Sequence, residues 1–157
     1  SAVMLRWNHH FEGLGSTLRS SYRYYDDSFK VNAHTLSAEW VQPLPKGWTI
    51  APSIRYHTQR AAKFYYDPVY DPLLGAPFPP GYLANPSGFY SADHRLSAFG
   101  ALTFGFKVSK EVIKDWNADL RMEWYEQRGA WRLGGTGSPG LAPFRARFMQ
   151  VGVTHRF

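Results

Sequence analysis

Apolar and polar residues alternate one for one through most of this chain, the mark of strands with two unlike faces. Seven such runs can be read. The first, residues 2–11, sets Val3, Leu5, Trp7 and Phe11 against Met4, Arg6, Asn8 and His10. The second, 16–25, sets Leu18, Ser20, Tyr22 and Tyr24 against Thr17, Arg19, Ser21, Arg23 and Tyr25. The third, 30–42, alternates Leu36, Ala38 and Trp40 with Thr35, Ser37 and Glu39. The fourth, 48–59, opposes Trp48, Ile50, Ile54 and Tyr56 to Ser53, Arg55, His57 and Gln59, with Pro52 tolerable at a bulge or an edge. The fifth, 95–108, carries Leu96 to Val108 on one parity and Arg95, Ser97, Thr103 and Lys107 on the other. The sixth, 117–128, sets Leu120, Met122 and Trp124 against Asp119, Arg121, Glu123 and Tyr125. The seventh, 147–157, aligns Met149, Val151, Val153, His155 and Phe157.

The lengths and connections of these runs narrow the class. Most are longer than the five or so residues usual in soluble strands, and near the roughly nine to eleven that a tilted membrane strand needs. Turns at 12–15, 43–47 and 109–116 fall at one end, and long irregular segments at 61–90 and 129–143 fall at the other. Short turns within and long loops without is the outer-membrane pattern, with the short turn at 26–28 a minor exception. A last strand ending on Phe is similar to the closing strand of bacterial outer-membrane barrels, in which Val151, Val153 and Phe157 would form the assembly signal. The expectation is an all-β, antiparallel transmembrane β-barrel occupying 1–157 as one unit. An odd strand count, and a start directly in a strand pattern without Met, predict the C-terminal part of a larger even-stranded barrel.

Composition sharpens this reading. No apolar run approaches the roughly 18 residues of a membrane helix. Aromatic residues make up 17% of the 157, including ten Tyr and six Trp, and Cys is absent, which excludes disulfides and thiolate metal sites. The net charge of +6 raises nucleic acid as a partner, but the arginines lie singly within strands, without a basic block, so none is expected. On the membrane reading Trp7, Trp40, Trp48 and Phe157 at one rim, and Trp124 at the other, form aromatic girdles. The lumen then holds Arg19, Arg23, Arg55, Arg95, Arg121 and Arg147 against Glu39, Asp119 and Glu123. These either solvate and stiffen the wall through ion-pair ladders or lower the barrier to anions.

The remaining chemistry is sparse. His9 and His10 are adjacent and so face opposite ways. His10, His57 and Glu39 share a parity without showing the convergence that zinc requires. His57 with Ser53 or Ser21 is the one nucleophile–base pair that can be built. Asp67, Asp71 and Asp93 read as turn formers more readily than as calcium ligands. No metal and no cofactor is expected.

Certain phrases also resemble a known family: Tyr22-Arg23-Tyr24-Tyr25-Asp26-Asp27-Ser28-Phe29, His34-Thr35-Leu36-Ser37-Ala38-Glu39, Ile54-Arg55-Tyr56-His57-Thr58-Gln59, Arg95-Leu96-Ser97-Ala98-Phe99-Gly100-Ala101, Tyr125-Glu126-Gln127-Arg128-Gly129 and Ser138-Pro139-Gly140-Leu141-Ala142-Pro143-Phe144. Together they are similar to an uncharacterised, Gram-negative outer-membrane family known only as a domain of unknown function. The resemblance implies a longer barrel, and a gene setting beside a small lipoprotein, a thioredoxin-like protein and a flavin transferase. It assigns no functional residue. The expected function is a pore, or a scaffold docking extracytoplasmic partners such as the lipoprotein or a redox protein. The surroundings would be outer-membrane lipid, lipopolysaccharide and the barrel-assembly machinery. The alternatives are an outer-membrane enzyme using a lumenal His, and a soluble β-barrel holding an apolar ligand.

Overall fold

A computed structural model describes residues 1–67 and 88–155. Seven strands form one antiparallel sheet in chain order: β1 (Ala2–Phe11), β2 (Ser16–Asp26), β3 (Asn32–Leu44), β4 (Trp48–Gln59), β5 (Phe99–Ile113), β6 (Trp116–Arg128) and β7 (Phe144–His155). The sheet is open: β1 and β7 are its edges and do not pair with each other. The chain is therefore all-β, as the alternation predicts, and every strand pairs with its neighbours in sequence.

The turns follow from local chemistry. Leu44 pairs with Trp48 across Pro45–Gly47, where Lys46 (φ 61°) and Gly47 (φ 74°) take the left-handed conformation that a three-residue hairpin needs. Between β2 and β3, the Asp27 carboxylate accepts the backbone N–H groups of Phe29 at 2.9 Å and Val31 at 3.1 Å, closing an Asx turn.

The third strand runs over Asn32–Leu44 rather than 30–42 and the seventh starts at Phe144 rather than 147, and the largest boundary corrections fall at the two ends of the fifth. The fifth strand starts at Phe99 rather than at 95, because residues His94–Leu96 form a 3₁₀ turn capped by Asp93, whose side chain accepts Arg95 N–H at 3.0 Å. At its other end β5 continues to Ile113, with Ser109 opposite Asp119 and Glu111 opposite Asn117. The charged segment expected as a turn over 109–116 is thus mostly strand, and only Lys114 and Asp115 remain as the loop. Charged side chains at a strand end reach water without breaking the ladder, so charge alone did not mark the turn.

The register gives the two faces different compositions, with Glu126, Arg128, Arg145 and Arg147 as charged exceptions on the apolar side. On one side lie Val3, Leu5, Trp7, Leu36, Ile54, Phe104, Leu120, Met149, Val151 and Val153. Much of this side is exposed: Leu5 is 65%, Phe104 53% and Val151 69% exposed. The other side carries the hydroxyls and most strand charges. A cavity of about 700 Å³ is lined on that side by residues of every strand, from Arg6 of β1 to Phe148 of β7. The sheet therefore curls with its polar face inward and its apolar face outward. Among the described residues, buried apolar side chains are few and small, chiefly Ala33, Ala51, Ala98 and Ala101 with Phe99, and no second layer covers the sheet.

Candidate functional site

The concave face is built from cross-strand rows, because directly opposed residues in an antiparallel ladder project to the same side. One row runs Arg6, Ser21, Ser37, Arg55, Thr103 and Tyr125 in unbroken register from β1 to β6. The row on its turn side runs Asn8, Arg19, Glu39, Ser53, Gly105 and Glu123 to Phe148. The row on its loop side runs Met4, Arg23, Thr35, His57, Ala101 and Gln127.

Charge is distributed unevenly among the three rows. Arg19 pairs with Glu39 at 3.1 Å and Arg121 with Glu123 at 2.5 Å, so both glutamates are neutralised locally. Arg6, Arg23 and Arg55 have no carboxylate partner among the described residues. Arg23 instead lies over the Tyr25 ring, 5.7 Å from its centroid. The Ser21 and Ser37 hydroxyls share a hydrogen bond of 2.7 Å beside the unpaired guanidiniums. Asp119 stands opposite Ser109 and Gly152, nearer the turn end. At Gly152 a Cβ would lie 2.9 Å from the Asp119 carboxylate, which fills that space.

Two of the six arginines expected on this face lie elsewhere. Arg147 pairs with Trp124 on the apolar side, because it shares the parity of Met149, Val151 and Val153. Arg95 lies in the 3₁₀ turn before β5, held to Asp93 at 2.6 Å. That bond keeps the Asp93 carboxyl at about 2. Arg19, Arg23, Arg55 and Arg121 share the concave face with Glu39, Asp119 and Glu123.

At the loop end the connections are tied to the sheet on both faces. On the concave side Gln59 donates to the carbonyls of Arg95 and Ser97, each at 2.8 Å. Ser138 and Ala98 exchange two hydrogen bonds, at 2.8 and 2.9 Å. On the apolar side the Tyr56 hydroxyl donates to the Trp131 carbonyl, and Leu133 N–H donates to Thr58 Oγ1 at 3.0 Å. Gly100 lies beneath this strap, and a Cβ there would collide with the Trp131 carbonyl. A second, mainly apolar cavity of about 730 Å³ lies at this end, lined by Phe99, Leu141, Pro143, Phe144 and Phe148.

The histidines do not converge. His10, Glu39 and His57 fall in different rows, and no group of three or more metal-ligating side chains occurs among the described residues. The His57 ring nitrogens face Thr35 Oγ1 at 2.8 Å and Gln59 Oε1 at 3.3 Å rather than Ser53 or Ser21. Asp67 accepts from the Tyr65 hydroxyl at 3.1 Å and from Gly140 N–H at 3.1 Å, a loop-tying role. Burial, reinforced by Asp67, pushes Tyr65 up to about 12.

Residues 1–148 match the family model described as Protein of unknown function (DUF3570). The chain belongs to that family. No curated protein and no solved structure matches it significantly. The family match agrees with the uncharacterised family expected from the sequence phrases.

In this DUF3570 chain the aromatic positions divide differently from the two-rim expectation. Trp48 closes the β3–β4 hairpin beneath Lys110, whose ammonium lies 5.2 Å from the ring centroid. Trp40 contacts Phe11 at 5.2 Å between centroids, near the same end. Trp116, hidden in the expected charged turn, opens β6 there and stacks on His155 at 4.5 Å. Its neighbours Lys114 and Asp115 masked an aromatic that the turn-end position could have revealed. Trp7 and Trp124 instead share one cross-strand row, through Ser20, Ala38, Ile54 and Phe104. Val151 and Val153 lie on the exposed apolar face. Phe157, expected in both the girdle and the assembly signal, and residues 68–87 of the long loop, including Asp71, lie outside the described residues.

Proposed function

We propose that the chain forms part of the wall of an outer-membrane β-barrel, its apolar convex face against lipid and its polar concave face lining a water-filled pore. The carrying observation is the inversion of an ordinary soluble sheet: large apolar side chains project outward and are exposed among the described residues, while guanidiniums and hydroxyls line the inside. A soluble protein rarely leaves so continuous an apolar surface exposed, whereas lipid requires one. No helix among the described residues is long and apolar enough to cross a membrane, so a crossing would use strands.

Barrel geometry also accommodates the shared Trp7–Trp124 row. Strands about 4.8 Å apart and tilted by about 40° would raise a row by about 15 Å over five strand steps, taking the two rings towards opposite interfaces. A second reading, a docking scaffold for an extracytoplasmic lipoprotein or redox partner, is favoured by the loop end. There Gln59, Ser138 and Asp67 fix three segments to one another and to the sheet.

The test is fractionation of the complete protein, followed by conductance in planar bilayers. Recovery from outer membranes only with detergent, together with discrete conductance steps, is expected of the pore. Membrane insertion without conductance would leave the scaffold, and a soluble protein would remove both.

A further inference from the structure

We infer that the row Arg6, Ser21, Ser37, Arg55, Thr103 and Tyr125 is an anion-binding band. It acts on small hydrated inorganic anions and sets the charge preference of the pore. The inference rests on the pore reading above and adds to it the solute class and the residues responsible.

Three observations place the band here rather than across the whole basic wall. Arg6 and Arg55 belong to the same row and line the same cavity of about 700 Å³. Neither has a carboxylate partner among the described residues, whereas the next row spends its arginine on Glu39, and Glu123 takes Arg121. An ion pair presents little net field to a passing ion, so the uncompensated guanidiniums dominate the potential in this part of the wall.

The intervening positions supply the second requirement, donors that replace part of an anion's hydration shell. Ser37 and Thr103 stand directly opposite Arg55 on its two neighbouring strands, and Ser21 stands directly opposite Arg6. Hydroxyls donate to an anion without adding fixed charge, so binding is favourable enough for entry and weak enough for release. No acidic side chain occurs in this row or in the loop-side row of Arg23 and His57.

The experiment is the reversal potential of the complete protein in a planar bilayer across a tenfold potassium chloride gradient. Arg55→Gln, Arg6→Gln and the double variant would be compared with wild type. Wild type is expected to prefer chloride. Each single variant should roughly halve the chloride-to-potassium permeability ratio, and the double variant should approach no preference. Arg55→Lys keeps the charge and should keep the preference, which separates charge from structural damage. A wild-type pore that prefers potassium, or a chloride preference that survives the double substitution, overturns the band and leaves the pore standing. Absence of any conductance from inserted protein overturns both together.

Discussion

Ile54 and Arg55 are neighbours in β4, yet they belong to different environments. Ile54 lies between Ala38 and Phe104 on the apolar face and is 43% exposed, and Arg55 lies between Ser37 and Thr103 inside a cavity. The same contrast repeats at Phe104 and Thr103 and at Leu120 and Arg121. A one-residue slip of any strand would exchange the two faces, so register carries the whole distinction. The lesson is that the curl of the sheet, rather than the content of either face, decides which surface is inside.

The sharpest way to break this comparison is to place one charge on each face of β5. Phe104→Arg is expected to cost about 2–4 kcal/mol of folded, lipid-inserted protein if that face meets the bilayer near its midplane. Thr103→Arg, one residue away, should cost less than about 1 kcal/mol. Urea titration in lipid vesicles measures both, and equal losses would remove the asymmetry.

Next in size is the strap over Gly100. Gly100→Val should push the Trp131 carbonyl off the sheet and destabilise by about 1–3 kcal/mol, seen as faster protease cleavage within residues 129–143. On the opposite face Gln59→Leu strips the carbonyls of Arg95 and Ser97 of their shared donor. It should cost about 1–2 kcal/mol and expose the segment before β5 instead. If both variants opened the same loop, the two faces would not be capped independently.

A smaller effect distinguishes a wet concave face from a dry one. The Arg19 and Glu39 side chains are 58% and 36% exposed, so Glu39→Gln should cost under about 1 kcal/mol. A loss of several kcal/mol would mean that the pair is buried in the complete protein.

The smallest is a pH effect confined to the turn before β5. Arg95 holds the Asp93 carboxyl at about 2, below its ordinary value. A depressed carboxyl stabilises the folded turn above its unfolded pKa near 3.8, and that contribution is lost as pH falls through about 2. Amide exchange of Arg95 and Ser97 should therefore gain an extra, pH-dependent opening between about pH 4 and pH 2, absent in Asp93→Asn. An unchanged profile in the variant would show that Asp93 does not hold the turn.

Much of this was legible residue by residue. The seven strands are visible because period-two alternation survives for ten or more residues, and the turns expected at 12–15 and 43–47 announce themselves through Gly and Pro, although Pro43 and Leu44 prove to be strand. Arg147 was misplaced although its parity was readable: it stands two residues before Met149 and must share its side. Arg95 was misplaced for a different reason. Its apparent alternation with Ser97 ran on from β5, and the Asp93 cap that ends the strand pattern is a local hydrogen bond without a periodic signal. The strap of 129–133 over Gly100 was invisible, because nothing near either segment marks a contact some thirty residues away in sequence.

Alternation along each strand determined, from the sequence by itself, that the chain is all-β and that every strand has one apolar and one polar side. Side-chain direction in a strand depends only on residue parity, so that much is local. Tertiary structure alone decided which side faces inward, and which arginines meet a carboxylate and which, among the described residues, do not. Those outcomes depend on register and curvature, set by pairing between strands far apart in the chain. Arg55 shows the division: its parity is written in β4, while its lack of a carboxylate partner among the described residues follows from Ser37 and Thr103 being the residues brought opposite it.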